Sequence, residues 1–149
     1  INSLNERIDK IEKEVKEKAE ETKEVMLIRS ITGFNYFSAM TIYASIGEKD
    51  RFPGHKELCS YFGVIPSTEK SGGKEKRGGI TKEGDDYVRR VLIQCAWSHV
   101  TNSDSYITKF FERLKKRKGK PIAITAAARK LVVAIYWMLK RGEGFRPEG

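Results

Sequence analysis

Ser71 stands in the run Lys70-Ser71-Gly72-Gly73-Lys74, with Lys76 and Arg77 just beyond it. Two glycines beside a hydroxyl let the backbone come close to a phosphate, and the four cations can neutralise it. A serine that attacks a phosphodiester must lose its proton and must stabilise the charge developing on phosphorus. Neighbouring cations and backbone N–H groups meet the second requirement. Basic glycine loops more often only touch phosphate or solvent, so on chemistry alone both roles remain open.

Other chemistries fit less well. A nucleoside-triphosphate loop needs Gly, four residues, then Gly-Lys and Ser or Thr, whereas Gly73 is followed five positions on by Gly78 and then Gly79. No Gly-x-Gly-x-x-Gly follows a strand, which excludes the dinucleotide fingerprint. His55 with Cys59, and Cys95 with His99, are i, i+4 pairs that could in principle share a zinc ion. Their spacing is unlike a zinc knuckle, and both cysteines fall at expected core positions, so no metal is assigned to this chain. The carboxylates are scattered, with no two-metal cluster, and Asp85 and Asp86 read as caps at a helix start.

The elements that must position the loop are helical. Residues 64–84 hold five glycines and a proline and read as one long basic loop, with short extended pieces at 64–67 and 79–81. Ahead of it, Leu4, Ile8, Ile11 and Val15 have coiled-coil a/d spacing, which predicts one exposed helix from residue 4 to about 29 and a homo-oligomer through it. Ile31-Thr32-Gly33-Phe34-Asn35 then reads as the turn of a helix-hairpin-helix-like element, with Asn35 where a second Gly is usual and with N–H groups that could face a phosphate. Helices are predicted at about 36–46, 55–62, 85–101, 105–117 and 121–141. The fold class is therefore all-α, a small helical bundle. Residues 1–29 form the coiled-coil helix and 30–149 a domain around the loop.

Charge narrows the partners. The chain has 149 residues and a net charge of +9. Residues 1–28 carry six basic and eight acidic side chains, which leaves 23 basic and 12 acidic for the remainder. A field of that sign attracts polyanions, nucleic acid first among them. The residues expected to bind it are Lys70, Gly72, Gly73, Lys74, Lys76, Arg77, Lys82, Arg89 and Arg90, together with the basic run Lys115, Lys116, Arg117, Lys118 and Lys120. The longest unbroken apolar run, Leu131 to Leu139, falls well short of the roughly 20 residues of a membrane span. Two cysteines 36 positions apart suit a reducing cytoplasm and no disulfide framework.

From Ile31 onward the order of features resembles the C-terminal transposase domain of the insertion-sequence 110/116/902 family, to which Piv-type DNA invertases are also similar. The matching pieces are Ile31-Thr32-Gly33, Ala39 to Gly47, Arg51-Phe52, Tyr61 to Pro66, Ser71-Gly72-Gly73, Arg77 to Gly84, Arg89-Arg90, and the helix around Ala127-Arg129-Lys130-Leu131. The resemblance covers about 115 residues. It implies a recombinase in two parts: a RuvC-like domain with acidic residues holding divalent metal (Mg²⁺), and this domain, which brings the catalytic serine. By that likeness Ser71 attacks the DNA backbone and holds a covalent phosphoserine. Some relatives are guided by a structured RNA, so the implied partners are DNA and a guide RNA. The sequence starts at Ile1 without an initiator Met and has no RuvC-like half, so it reads as a piece of a longer recombinase, inactive alone.

Overall fold

Thr22 divides what the heptad spacing predicts as one helix. In the computed structural model, which describes residues 2–65 and 82–149, α1 spans Asn2–Glu21 and α2 spans Lys23–Arg29. Thr22 between them is extended, at φ −111 and ψ 112. Its N–H donates to the Ala19 carbonyl at 3.1 Å and its hydroxyl to the Lys18 carbonyl at 3.2 Å. A β-branched residue whose hydroxyl competes for backbone groups is a natural place for the break. The bend lets Ala19, Val25 and Ile28 reach the core, while Leu4, Ile8 and Ile11 stay 61%, 45% and 58% exposed.

Tyr36 fastens α1 to the bundle. It opens α3 (Tyr36–Ile46), its hydroxyl donates to Glu20 Oε2 of α1 at 3.5 Å, and the Arg29 guanidinium of α2 lies over its ring at 4.1 Å. Asn35 caps α3: its Oδ1 accepts from the Ser38 N–H at 2.8 Å, and its own N–H donates to Ser38 Oγ at 2.9 Å. A 3-10 turn, Lys49–Arg51, leads to α4 (His55–Phe62). Arg51 closes α3 by donating to the Ser45 and Ile46 carbonyls, both at 3.3 Å, and its guanidinium lies over the rings of Phe52 and Tyr61.

Three long helices complete the bundle: α5 (Lys82–Asn102), α6 (Tyr106–Lys118) and α7 (Lys120–Arg141). The expectation that 82–84 belong to the loop is corrected, because α5 begins at Lys82. Asp85 and Asp86 therefore lie within the helix, past its first residue. Gly84 costs a helix about 1 kcal/mol, an amount that the packing of Leu92, Cys95 and Ala96 farther along α5 offsets.

Pro121 in the first turn of α7 and Ser105 before α6 are helix-start residues in their usual places. By length and hydropathy α7 is apolar enough to cross a membrane, which the length of its longest unbroken run does not reveal. Its apolar residues, Leu131, Val132 and Ile135 among them, are instead buried against α2, α4, α5 and α6. Among the described residues there are seven α-helices and no strand. The remainder of the expected loop, residues 66–81, lies outside the described residues.

Candidate nucleic-acid interface

Two helices flank the segment that holds Ser71, and one arginine joins them. Gly63 ends α4 in the left-handed region, φ 74 and ψ 28, which allows its N–H to reach the Ser60 carbonyl and the Val64 N–H to reach that of Cys59. Arg89 on α5 donates from Nε to the Gly63 carbonyl at 3.1 Å. Its Cδ lies 3.2 Å from where a Cβ on residue 63 would stand. The carbonyl end of α4 thus holds a cation from α5, at a helix terminus that favours positive charge.

Beside this clip lies a cleft of about 460 Å³ lined by Ile65, Leu114 and Ile122 with Arg89, Lys118 and Arg129. Arg129 is half-buried, and its Nε has no hydrogen-bond partner among the described residues. Three cations on walls that are apolar apart from Thr125 form a surface where a phosphate is attracted more strongly than in open water.

Those of the expected binding residues that are described border more than one cleft. Lys70, Ser71, Gly72, Gly73, Lys74, Lys76 and Arg77 lie outside the described residues. Lys82 is the first residue of α5. Arg89 and Lys118 share the cleft, whereas the exposed Arg90 borders a different one, beside Gly33 and Asn35. Lys115 is held by Glu112 at 2.9 Å and lies over the Phe111 ring. Lys116, Arg117 and Lys120 are exposed where α6 hands over to α7. Arg129 lies in the helix that carries part of the family resemblance but is not among the expected binding residues.

The turn between α2 and α3 uses part of its N–H set internally. The Phe34 N–H donates to the Ile31 carbonyl at 3.2 Å and the Asn35 N–H to Ser38, so both are used internally. The Thr32 carbonyl lies 2.7 Å from Nδ1 of His99, which is fully buried on α5. A carbonyl only accepts, so Nδ1 carries the proton, and Nε2 accepts from the Ser105 hydroxyl at 2.7 Å. Ser105 Oγ in turn accepts from the Ile107 and Thr108 N–H groups. His99 therefore ties the hairpin to the start of α6, which its spacing to Cys95 did not suggest.

Burial lowers the His99 pKa from its ordinary 6.5, with the Thr32 carbonyl pulling it upward as the lesser influence. A lowered folded pKa means that the unfolded chain takes up the proton first. Stability is then full above about pH 6.5 and falls as pH drops from there through the lower folded value. His99→Gln is expected to cost about 1–3 kcal/mol at pH 7.5. It should also flatten the loss of urea midpoint between pH 7.5 and 5.5, and an unchanged slope would exclude His99 as its source.

The sequence profile of the transposase IS116/IS110/IS902 family matches residues 25–112. The chain belongs to this family. It is 32% identical over 145 residues to the transposase for insertion sequence element IS1111A of Coxiella burnetii, covering 95% of this chain and 40% of that protein. It is 29% identical over 93 residues to the transposase for insertion sequence element IS1328 of Yersinia enterocolitica, covering 62% of this chain and 28% of that protein. The insertion element IS110 43.6 kDa protein of Streptomyces coelicolor is 24% identical over 117 residues, covering 78% and 29%. The chain thus spans at most about two fifths of each of these relatives. No solved structure matches it.

Within the family region lie the hairpin, Arg89 and most of α6; α7, the central helix they pack on, follows it. Among the described residues of this family member, no group of three or more His, Cys, Asp and Glu stands together to hold a metal ion. His55 packs against the rings of Tyr136 and Trp137, and burial pushes the Cys95 thiol pKa up, with Ser38 pulling it the other way.

Proposed function

We propose that this chain is the part of a DNA transposase that grips nucleic acid and presents Ser71 to the phosphodiester backbone during strand exchange. The carrying observation is the cationic cleft of Arg89, Lys118 and Arg129, bordered by Ile65, the last described residue before the segment that holds Ser71. Family membership supports the reaction class, and the excess of basic residues supports the polyanion. In this reading the metal belongs to a RuvC-like domain elsewhere in the protein, and the chain acts on DNA in the cytoplasm. A structured guide RNA is a second ligand for the same basic surface. The uncovered row Leu4, Ile8 and Ile11 on α1 favours self-association through that helix.

Fluorescence anisotropy with a short duplex at 50 and 200 mM salt tests the grip. If three phosphates are neutralised, affinity falls roughly 40-fold between the two salts. Lys118→Gln, at an exposed position, is expected to reduce the slope of log affinity against log salt by about 1. Absence of binding at 50 mM, or a slope that Lys118→Gln leaves unchanged, would overturn the cleft as the phosphate site.

A further inference from the structure

A second cleft, also about 460 Å³, opens between the hairpin and α5 and is lined by Asn35, Phe37, Tyr87, Arg90, Gln94 and Ser98 among others. Its composition differs from that of the phosphate cleft. Phe37 is 56% exposed and Tyr87 46% exposed, although rings of that size are ordinarily drawn into a core. Neither ring stacks on another ring or lies under a cation among the described residues. Between them stand an amide, Gln94, and a guanidinium, Arg90, both exposed and without a hydrogen bond or ion pair to the described residues. The floor is firm, because Ser38 and Cys95 are buried there and Asn35 is fixed by its cap.

Open aromatic faces, donors and acceptors able to read a base edge, and a cation for the adjoining phosphate are what an unstacked nucleobase needs. A duplex offers its bases only as edges in a groove and keeps their faces stacked. We infer that this cleft holds an unpaired nucleobase of a single strand, stacked on Tyr87 or Phe37, with Gln94 at its edge and Arg90 at its phosphate. The inference rests on the proposed nucleic-acid reading and adds to it a preference for opened over paired strands. Charge complementarity selects a nucleic acid over an apolar ligand, since Arg90 borders the cleft of a chain whose net charge is +9.

The test compares a labelled 12-nucleotide oligo(dT), its RNA counterpart and a 12-base-pair duplex by anisotropy. Both rings are exposed, so their removal should leave the fold intact, which circular dichroism checks. Tyr87→Ala is the decisive variant because Phe37 also borders the groove against Ile11 and Val15 of α1, whereas Tyr87 does not. Tyr87→Ala is expected to weaken single-strand binding roughly tenfold while leaving duplex affinity within about twofold. The salt slope should not change, since no charge is lost, and Tyr87→Trp should retain the affinity. A loss in the DNA arm alone, or in both single-strand arms, supports the site and tells which strand it accepts. Equal loss on duplex and single strand, or no loss on either, overturns the base site while the phosphate grip stands. Failure of the unmodified chain to bind any of the three overturns both.

Discussion

Ser71→Ala, placed in a full-length transposase containing this chain, is expected to abolish the covalent protein–DNA adduct and recombination with it. In the proposed step Ser71 Oγ forms a bond to phosphorus as a P–O bond to deoxyribose breaks. The serine proton leaves, and the departing deoxyribose oxygen gains one. One phosphodiester replaces another, so no external energy source is required. A nucleophile cannot be replaced by its neighbours, and removal of a serine nucleophile elsewhere costs on the order of 10⁶ in rate, so the variant should fall below detection. Its DNA affinity should stay within about twofold of the parent, because a hydroxyl carries no charge for phosphate to feel. Denaturing gels of protein mixed with end-labelled substrate would show the adduct directly. A persistent adduct in the alanine variant would leave this domain as a phosphate-gripping module and place the nucleophile elsewhere.

The second large effect concerns the fold. Gly33→Ala is expected to destabilise the chain by about 3 kcal/mol or more, from roughly 1–2 kcal/mol for a left-handed backbone and 1–3 kcal/mol for overpacking. Gly33 sits at φ +107, and a Cβ there would stand 2.7 Å from the Cys95 carbonyl oxygen and 2.9 Å from the His99 backbone nitrogen. Both are helix backbone atoms of α5, which cannot swing aside as a side chain would. The hairpin would have to lift from α5, stretching the hydrogen bond between the Thr32 carbonyl and His99 that lies next to it. For a chain of this size the loss corresponds to a melting temperature lower by roughly 10 °C. Gly144→Ala makes a fair control, since its Cβ would meet only the Ser30 side chain, Oγ at 3.4 Å and Cβ at 3.9 Å. A Gly33→Ala protein that melts within about 2 °C of its parent would mean that the hairpin does not approach α5 so closely.

These two positions show how differently the sequence speaks. Ser71 stands out by composition, because two glycines and four cations around a hydroxyl mark a loop suited to phosphate, while its role as nucleophile comes only from the family resemblance. Gly33 also stands out as a turn residue, but its turn suggests a phosphate loop, and only the approach to Cys95 and His99 reveals a packing contact. His99 is similar: its spacing to Cys95 is compatible with metal ligation but assigns none, while its partners, Thr32 and Ser105, come from two different turns.

By itself the sequence determined the all-α class, the positions of the helices after residue 35 to within a few residues, and the basic character of the domain. Helical periodicity, capping residues and charge are local properties, legible wherever the chain is read. Only the tertiary structure decided that α1 and α2 part at Thr22 and that α5 starts at Lys82. It also separated Arg89 from its neighbour Arg90, assigning them to two clefts, and brought Arg129 into the first of them. Adjacent residues on a helix point about 100° apart, so their fates depend on which helices pack around them, and that follows from long-range burial, which local spacing does not encode.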